Sequence, residues 1–243
     1  MYDTDLDITW LIDANYAFTS GYVETIDTTY GDGRMSWQQA YDWAQQLVFL
    51  GFEDWRLTRT LPVNNISYNS DLSYDGTTDT GYNITSPNSE LSYMFYVNLG
   101  NIGYYDTDGI GPQSNYGLKN TGGFQNYNEY YYWSNNVHPD LSDSYSWGYS
   151  NITGGQRIYY QPSQHYAWAV RDGDVIPTGD LVPDGTVDAG DYLVALRIVL
   201  GEKTPTAVEL FQGDLYPVGN PDGMLDLSDL LLLRKRVVSP NPL

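Results

Sequence analysis

Apolar residues recur at helical spacing over 36–51, at Ala40, Trp43, Ala44, Leu47 and Val48. Ser36 stands at the N-cap with Gln39 three residues on, the order of a capping box, and Gly51 supplies a C-terminal stop. The spacing predicts a helix there. A second helix is predicted over 89–99, where Leu91, Met94, Phe95 and Val97 are apolar and Gly100 is the stop. The rest of the first 174 residues alternates and is rich in Tyr and Thr, which predicts short strands and long loops. Candidate strands are 8–12, 130–134 and 165–171, and 54–57 reads as a strand or a tight turn. Beyond residue 179 Leu and Val return at helical spacing. They predict a helix over 191–200 with Leu193, Leu196, Val199 and Leu200 as its apolar face.

Composition changes where the pattern changes. All seven Trp lie at or before Trp168, and the stretch 172–179 carries the Gly and Pro of a short linker. Two domains are expected, 1–174 and 175–243, and 243 residues suffice to give each its own core.

The second domain contains an internal repeat, 179–197 and 213–234. In the first copy Asp180, Asp184, Asp188 and Asp191 fall at positions 1, 5, 9 and 12 of a loop, with Gly185 at the turn position 6. That is the order of an EF-hand-like calcium loop. Val182 at position 3 and Thr186 at position 7 would offer backbone carbonyls. Oxygen donors in this number, without His or Cys, select a hard cation. In the second copy Asn220, Asp222, Met224, Asp226 and Asp229 take positions 3, 5, 7, 9 and 12, and Gly223 the turn. Position 1 is open between two residues. Either extra residues loop out and Asp214 still binds, or Val218 takes the place without a carboxylate. Asp214 is favoured, because doubling a loop adds only about 0.6 kcal/mol of closure entropy. Two calcium ions are expected, in a structural role.

This duplicated loop-and-helix resembles the type I dockerin module over 179–238. The resemblance implies a small all-α, EF-hand-like unit folded by calcium that contacts a partner protein. The positions that read the partner in that family match poorly, since Ala189 and Gly190 are not repeated by Leu227 and Ser228.

The first domain carries Trp37, Ala40, Leu47, Gly51 and the run Asp54, Trp55, Arg56, Leu57. Later come Tyr132, Trp133, Ser134 and the stretch 167–174. With the opening strand 2–11, these residues resemble the DUF1566 family, the C-terminal domain type of the Legionella collagen-like adhesin. The resemblance implies an α+β, C-type-lectin-like fold of a bacterial secreted or surface protein, with glycan binding or adhesion among its members. Thr58 stands where the family usually has Pro, which alters the following loop.

Charge narrows the partners. Asp and Glu number 31 against 11 Lys and Arg, a net charge of −20, so binding of nucleic acid or of anionic lipid through charge is not expected. Membrane insertion is not expected either, as no apolar run is long enough. The absence of Cys removes disulfides and thiolate chemistry. No His-based, nucleophile or phosphate-loop pattern is present, so catalysis is not expected, and a carbohydrate-active hydrolase ranks as the remote reading. The chain is read as a mature extracellular bacterial protein without its signal peptide, with three glycosylation sequons at Asn65, Asn83 and Asn151. The expected function is a non-catalytic, calcium-stabilised surface or matrix protein. It would contact another surface protein or itself, to the point of fibre or pilus-like assembly. The alternative is a glycan-binding adhesin using exposed tyrosines, for which Tyr104, Tyr105, Tyr127, Tyr130, Tyr131 and Tyr132 are the candidates. Asp54 and Arg56 are read as a structural pair, and Trp133 and Trp168 as core.

Overall fold

The computed structural model describes residues 1–219 and 221–238. The chain divides into two compact units, Met1–Leu47 with Asp54–Gly173, and Val48–Glu53 with Asp174–Leu243. A single cut near residue 174 does not include the excursion 48–53. The architecture is mixed α+β, with two open sheets and six α-helices among the described residues.

In the first unit the elements run β1 (Tyr2–Asp3), β2 (Ile8–Trp10), α1 (Tyr16–Thr19), α2 (Trp37–Gln46), β3 (Arg56–Leu57), β4 (Leu72–Ser73), β5 (Thr80–Gly81) and α3 (Glu90–Tyr93), then β6 (Tyr131–Val137), β7 (Tyr145–Ser150), β8 (Gly155–Tyr160) and β9 (Ala169–Asp172). One sheet has the order β1-β2-β9-β3 and is antiparallel, with Trp10 opposite Val170 and Arg56 opposite the same residue. The other has the order β4-β5-β8-β7-β6, antiparallel except for the pair β4-β5. The two ends of this unit therefore meet: β2 near its start pairs with β9 near its close.

Helix α2 begins as its caps dictate, with Ser36 Oγ accepting from Gln39 N–H and Gln39 Oε1 from Ser36 N–H. It buries Trp37, Ala40, Trp43 and Ala44. It ends at Gln46, earlier than its apolar spacing predicts, because Leu47 is already extended. The predicted second helix is also shorter. Glu90–Tyr93 is α-helical, and Met94–Asn98 widens into a π turn closed by Leu99 N–H on the Met94 carbonyl. Val97 faces solvent there.

Aromatic rings fill the core of this unit. Trp168 packs at 4.6 Å from Trp10, 4.7 Å from Phe124 and 4.6 Å from Tyr127. Three of the buried indoles donate to distant carbonyls, Trp133 to Met35, Trp168 to Leu11 and Trp37 to Ser134. Arg56 bridges Glu90 and Asp172, while Asp54 instead receives Arg171.

The second unit contains α4 (Ala189–Val199), α5 (Ala207–Gly213) and α6 (Leu227–Val238). Leu181, Ala195, Ile198, Leu215, Leu230 and Leu233 form its core. The predicted face of α4 holds in part: Leu196 and Val199 pack against this core, whereas Leu193 and Leu200 are exposed and Asp191, Ala195 and Ile198 point inward. Helix α5 adds to the helices that the apolar spacing predicts, and Thr206 and Glu209 form its capping box. Residues 48–53 form a two-residue turn in which Phe49 and Phe52 exchange both backbone hydrogen bonds. Leu50 and Gly51 sit at φ 55° and 82°, as a tight hairpin turn of the primed type requires.

Candidate metal centre

The two acidic loops carry nearly the same hydrogen bonds. In the first, Asp180 Oδ1 accepts from Asp184 N–H at 3.4 Å and Oδ2 from Gly185 N–H at 3.0 Å. In the second, Asp214 Oδ1 accepts from Asp222 N–H at 3.2 Å and Oδ2 from Gly223 N–H at 2.6 Å. Asp214 thus does what Asp180 does, while Val218 is 72% exposed. The glycines at the turn share left-handed backbone, φ 81° at Gly185 and 82° at Gly223, which a side chain would strain.

The far ends of the loops correspond as well. Asp191 accepts from Val182 N–H and Asp188 N–H, each at 2.8 Å. Asp229 accepts from Leu215 and Tyr216 N–H at 2.7 Å and from Asp226 N–H at 2.8 Å. Each carboxylate sits in the first turn of its helix, α4 or α6, and ties the loop's entry to its exit. Asp184 accepts from the Thr186 amide and hydroxyl, and Asp222 from the Met224 amide. Asp188 accepts from Gly190 and Asp226 from Ser228, as caps do. Asn220 lies outside the described residues.

Three of these carboxylates are buried, Asp191 at 1%, Asp214 at 5% and Asp229 at 2% exposure. Among the described residues no Lys or Arg forms an ion pair with any Asp of the two loops; the ion pair of this unit joins Lys203 to Glu209. Burial raises the Asp214 carboxyl above the usual carboxylate range, and the nearby charges of Asp229 and Asp222 raise it further, against the lowering effect of its two amide partners. Exposed Asp184 is lowered by its bonds from Thr186.

The donor set is chemically that of a hard cation: carboxylate and carbonyl oxygens with uncompensated charge. A carboxylate has about four lone-pair sites, so one that accepts two amide bonds retains sites for an ion. Among the described residues, however, no three His, Asp or Glu side chains converge as a metal-holding group. Their oxygens face the loop amides.

The other predicted sites divide. Tyr127 and Tyr132 do not belong to an exposed platform: they are 8% and 0% exposed, packed against Trp168 and each other. Burial raises both phenols well above their ordinary value. Tyr104, Tyr105, Tyr130 and Tyr131 are half-buried, each edge-on to a neighbouring ring. Of the sequons, Asn151 is fully buried; its amide oxygen accepts from Tyr127 and its nitrogen donates to the Asn128 carbonyl, so a glycan has no room there. Asn83 spends its amide nitrogen on the Tyr74 and Tyr105 carbonyls. Asn65 is exposed. No helix among the described residues is long and apolar enough to cross a membrane.

Comparisons with family profiles, with curated proteins and with solved structures give no match for this chain.

Proposed function

We propose that the protein is a non-catalytic, calcium-stabilised bacterial surface or matrix protein. The observation that supports this best is the repetition of one hydrogen-bond scheme by Asp180 and Asp214, and by Asp191 and Asp229, with buried carboxylates that no cationic side chain among the described residues neutralises. A divalent ion at each loop would supply the missing positive charge. On this reading Asp180, Asp184 and Asp191 hold one ion with the Val182 and Thr186 carbonyls. Asp214, Asp222 and Asp229 hold the other with the Met224 carbonyl. Asp188 and Asp226 act through water or as caps.

We read the second unit as dockerin-like and the first as C-type-lectin-like, and extracellular calcium suits both. A contact role for the second unit draws on its surface. Leu193 and Leu200 of α4 are exposed, and so are Leu231 and Val238 at the same repeat positions of α6, with Arg197 and Lys235 between them. Such a repeated apolar and basic face is what a protein partner, or a second copy of this acidic chain, would cover.

Metal analysis of the purified chain, together with its mass in solution in calcium and in EDTA, tests the reading. Two bound calcium ions per chain, and a mass in calcium above that of the monomer, are expected. Absence of bound calcium at millimolar concentration refutes the metal assignment. A monomer under both conditions refutes self-association and leaves a different partner protein.

A further inference from the structure

Residues 48–53 belong to the second unit, although the chain on either side of them belongs to the first. They lie against α5. Phe52 meets Phe211 edge-on, with ring centroids 6.1 Å apart. A Cβ built on Gly51 would be 3.4 Å from Gln212 Nε2 and 3.5 Å from Val208 Cγ1, so the backbone of the turn touches the helix. Gln212 Nε2 donates to the Leu50 carbonyl at 3.2 Å. Leu50 itself stands at φ 55°, left-handed backbone that a residue with a Cβ keeps only where its surroundings hold it. The Gln212 hydrogen bond and the Phe52–Phe211 contact provide that hold.

Gln212 is 4% exposed and serves both acidic loops at once. Its Oε1 accepts from Thr178 N–H at 2.9 Å and from the Thr178 hydroxyl at 2.7 Å, and its backbone carbonyl accepts from Gly179 N–H at 3.0 Å. Thr178 Oγ in turn accepts at 3.2 Å from the amide of Asp180, position 1 of the first loop. Two residues after Gln212 comes Asp214, position 1 of the second loop. Between them Gly213 leaves no room for a side chain: a Cβ there would lie 2.3 Å from Cδ1 of Leu225, a residue of the second loop. The last turn of α5 therefore cannot shift without moving the first carboxylate of each loop. The same turn receives Leu50 and Phe52.

We propose that the hairpin 48–53 is a strap latched by calcium, with Gln212 as the link between the strap and both loops. Ions in the loops fix Asp180 and Asp214. Those residues fix the last turn of α5, and that turn presents the Gln212 amide and the Phe211 ring to the hairpin. Removal of the ions loosens the turn and releases the strap. A coupling free energy is reciprocal, so the docked hairpin strengthens calcium binding by the factor with which calcium strengthens docking. The inference rests on the calcium reading of the two loops and adds to it a segment that holds no ligand. Helix α2 ends at Gln46 and β3 begins at Arg56, so the state of the strap bears on the connection between these two elements of the first unit.

The test uses the full chain. Calcium affinity is read by calorimetry, and hydrogen exchange of the segment 48–53 by mass spectrometry in calcium and in EDTA. Phe49 and Phe52 each donate an amide to the other's carbonyl, and exchange at these amides is expected to slow about fivefold or more in calcium. Phe52→Ser and Gln212→Ala are expected to weaken calcium binding about fivefold or more with two ions still bound, although neither residue is a ligand. Val48→Ser, at a side chain 60% exposed, is expected to leave the affinity unchanged. Far-UV circular dichroism checks folding, and Phe52→Ser at its half-buried position carries the test where the buried Gln212→Ala fails to fold. If the parent binds calcium while the hairpin exchanges equally fast in calcium and in EDTA, the strap is refuted and the calcium reading stands. The same holds if Phe52→Ser binds calcium as tightly as the parent. If the parent binds no calcium, both fall.

Discussion

Arg56 and Glu90 form a two-pronged ion pair in the first unit, Nη1 to Oε2 at 2.9 Å and Nη2 to Oε1 at 2.8 Å, with both side chains 8% exposed. Asp172 approaches the same guanidinium at 2.5 Å, and Glu90 also accepts the Arg59 N–H at 2.6 Å. The pair joins β3 to α3, and Asp172 adds β9, so three elements far apart in sequence share one charged joint.

Removing one member of such a pair leaves the other charge buried, which costs about 3–5 kcal/mol. Arg56→Ala is expected to destabilise the first unit by about that amount. All seven Trp lie in this unit, so urea unfolding of the full chain followed by tryptophan emission isolates it. Glu90→Gln is expected to cost less, because Asp172 still faces Arg56. Equal stability of Arg56→Ala and the parent would show that the joint contributes nothing.

His165 is packed against Trp133, with ring centroids 4.4 Å apart, and against Tyr131 and Tyr159, and its Nδ1 meets the Gln164 carbonyl. Burial lowers its pKa to about 4, and Arg34 adds to the lowering. The folded value lies below the unfolded value near 6.5, so folding favours the neutral ring. The resulting stability is complete above about pH 6.5 and is lost as pH falls toward 4, about 3 kcal/mol in all. His165→Gln is expected to flatten this part of the pH profile. The measurement is the urea midpoint of tryptophan emission at pH 7.5 and at pH 4.5 for both proteins. An identical acid loss in the variant would place the sensitivity in other groups.

The second loop distinguishes two carriers for its first ligand. Asp214→Asn is expected to reduce bound calcium from two ions to one, and Val218→Ala to leave both, as read by metal analysis after dialysis. At millimolar calcium and a dissociation constant near 10 µM, each ion contributes about 2.7 kcal/mol, so the Asn variant is also expected to melt earlier by far-UV circular dichroism. Loss of an ion in Val218→Ala but not in Asp214→Asn would reverse the assignment.

Local signals were legible and distant ones were not. The start of α2 followed from Ser36 and Gln39 because a capping box joins residues three apart. The end of α2 did not, since Leu47 turns away despite an apolar spacing that continues. Of the predicted face of α4, Leu196 and Val199 reach the core and Leu193 and Leu200 do not, because nearly every position from Leu193 to Leu200 is apolar and periodicity alone does not select a side. Packing of the small core selects it, through Ala195 and Ile198. Tyr127 and Tyr132 could not be told from Tyr130 and Tyr131 by neighbourhood, because burial depends on Trp168, far along the chain.

Amino-acid order alone determined the Asp and Gly spacing of the two loops, the change of composition near residue 175 and the absence of thiol chemistry, all properties of neighbours or of counts. Tertiary structure alone decided that Arg56 meets Glu90 and Asp172, and which tyrosines are buried. It also gave Asp214, which the sequence favours over Val218, the same amide partners as Asp180. Those outcomes depend on contacts between residues up to 116 positions apart, and the free energy that selects them belongs to the packed chain as a whole.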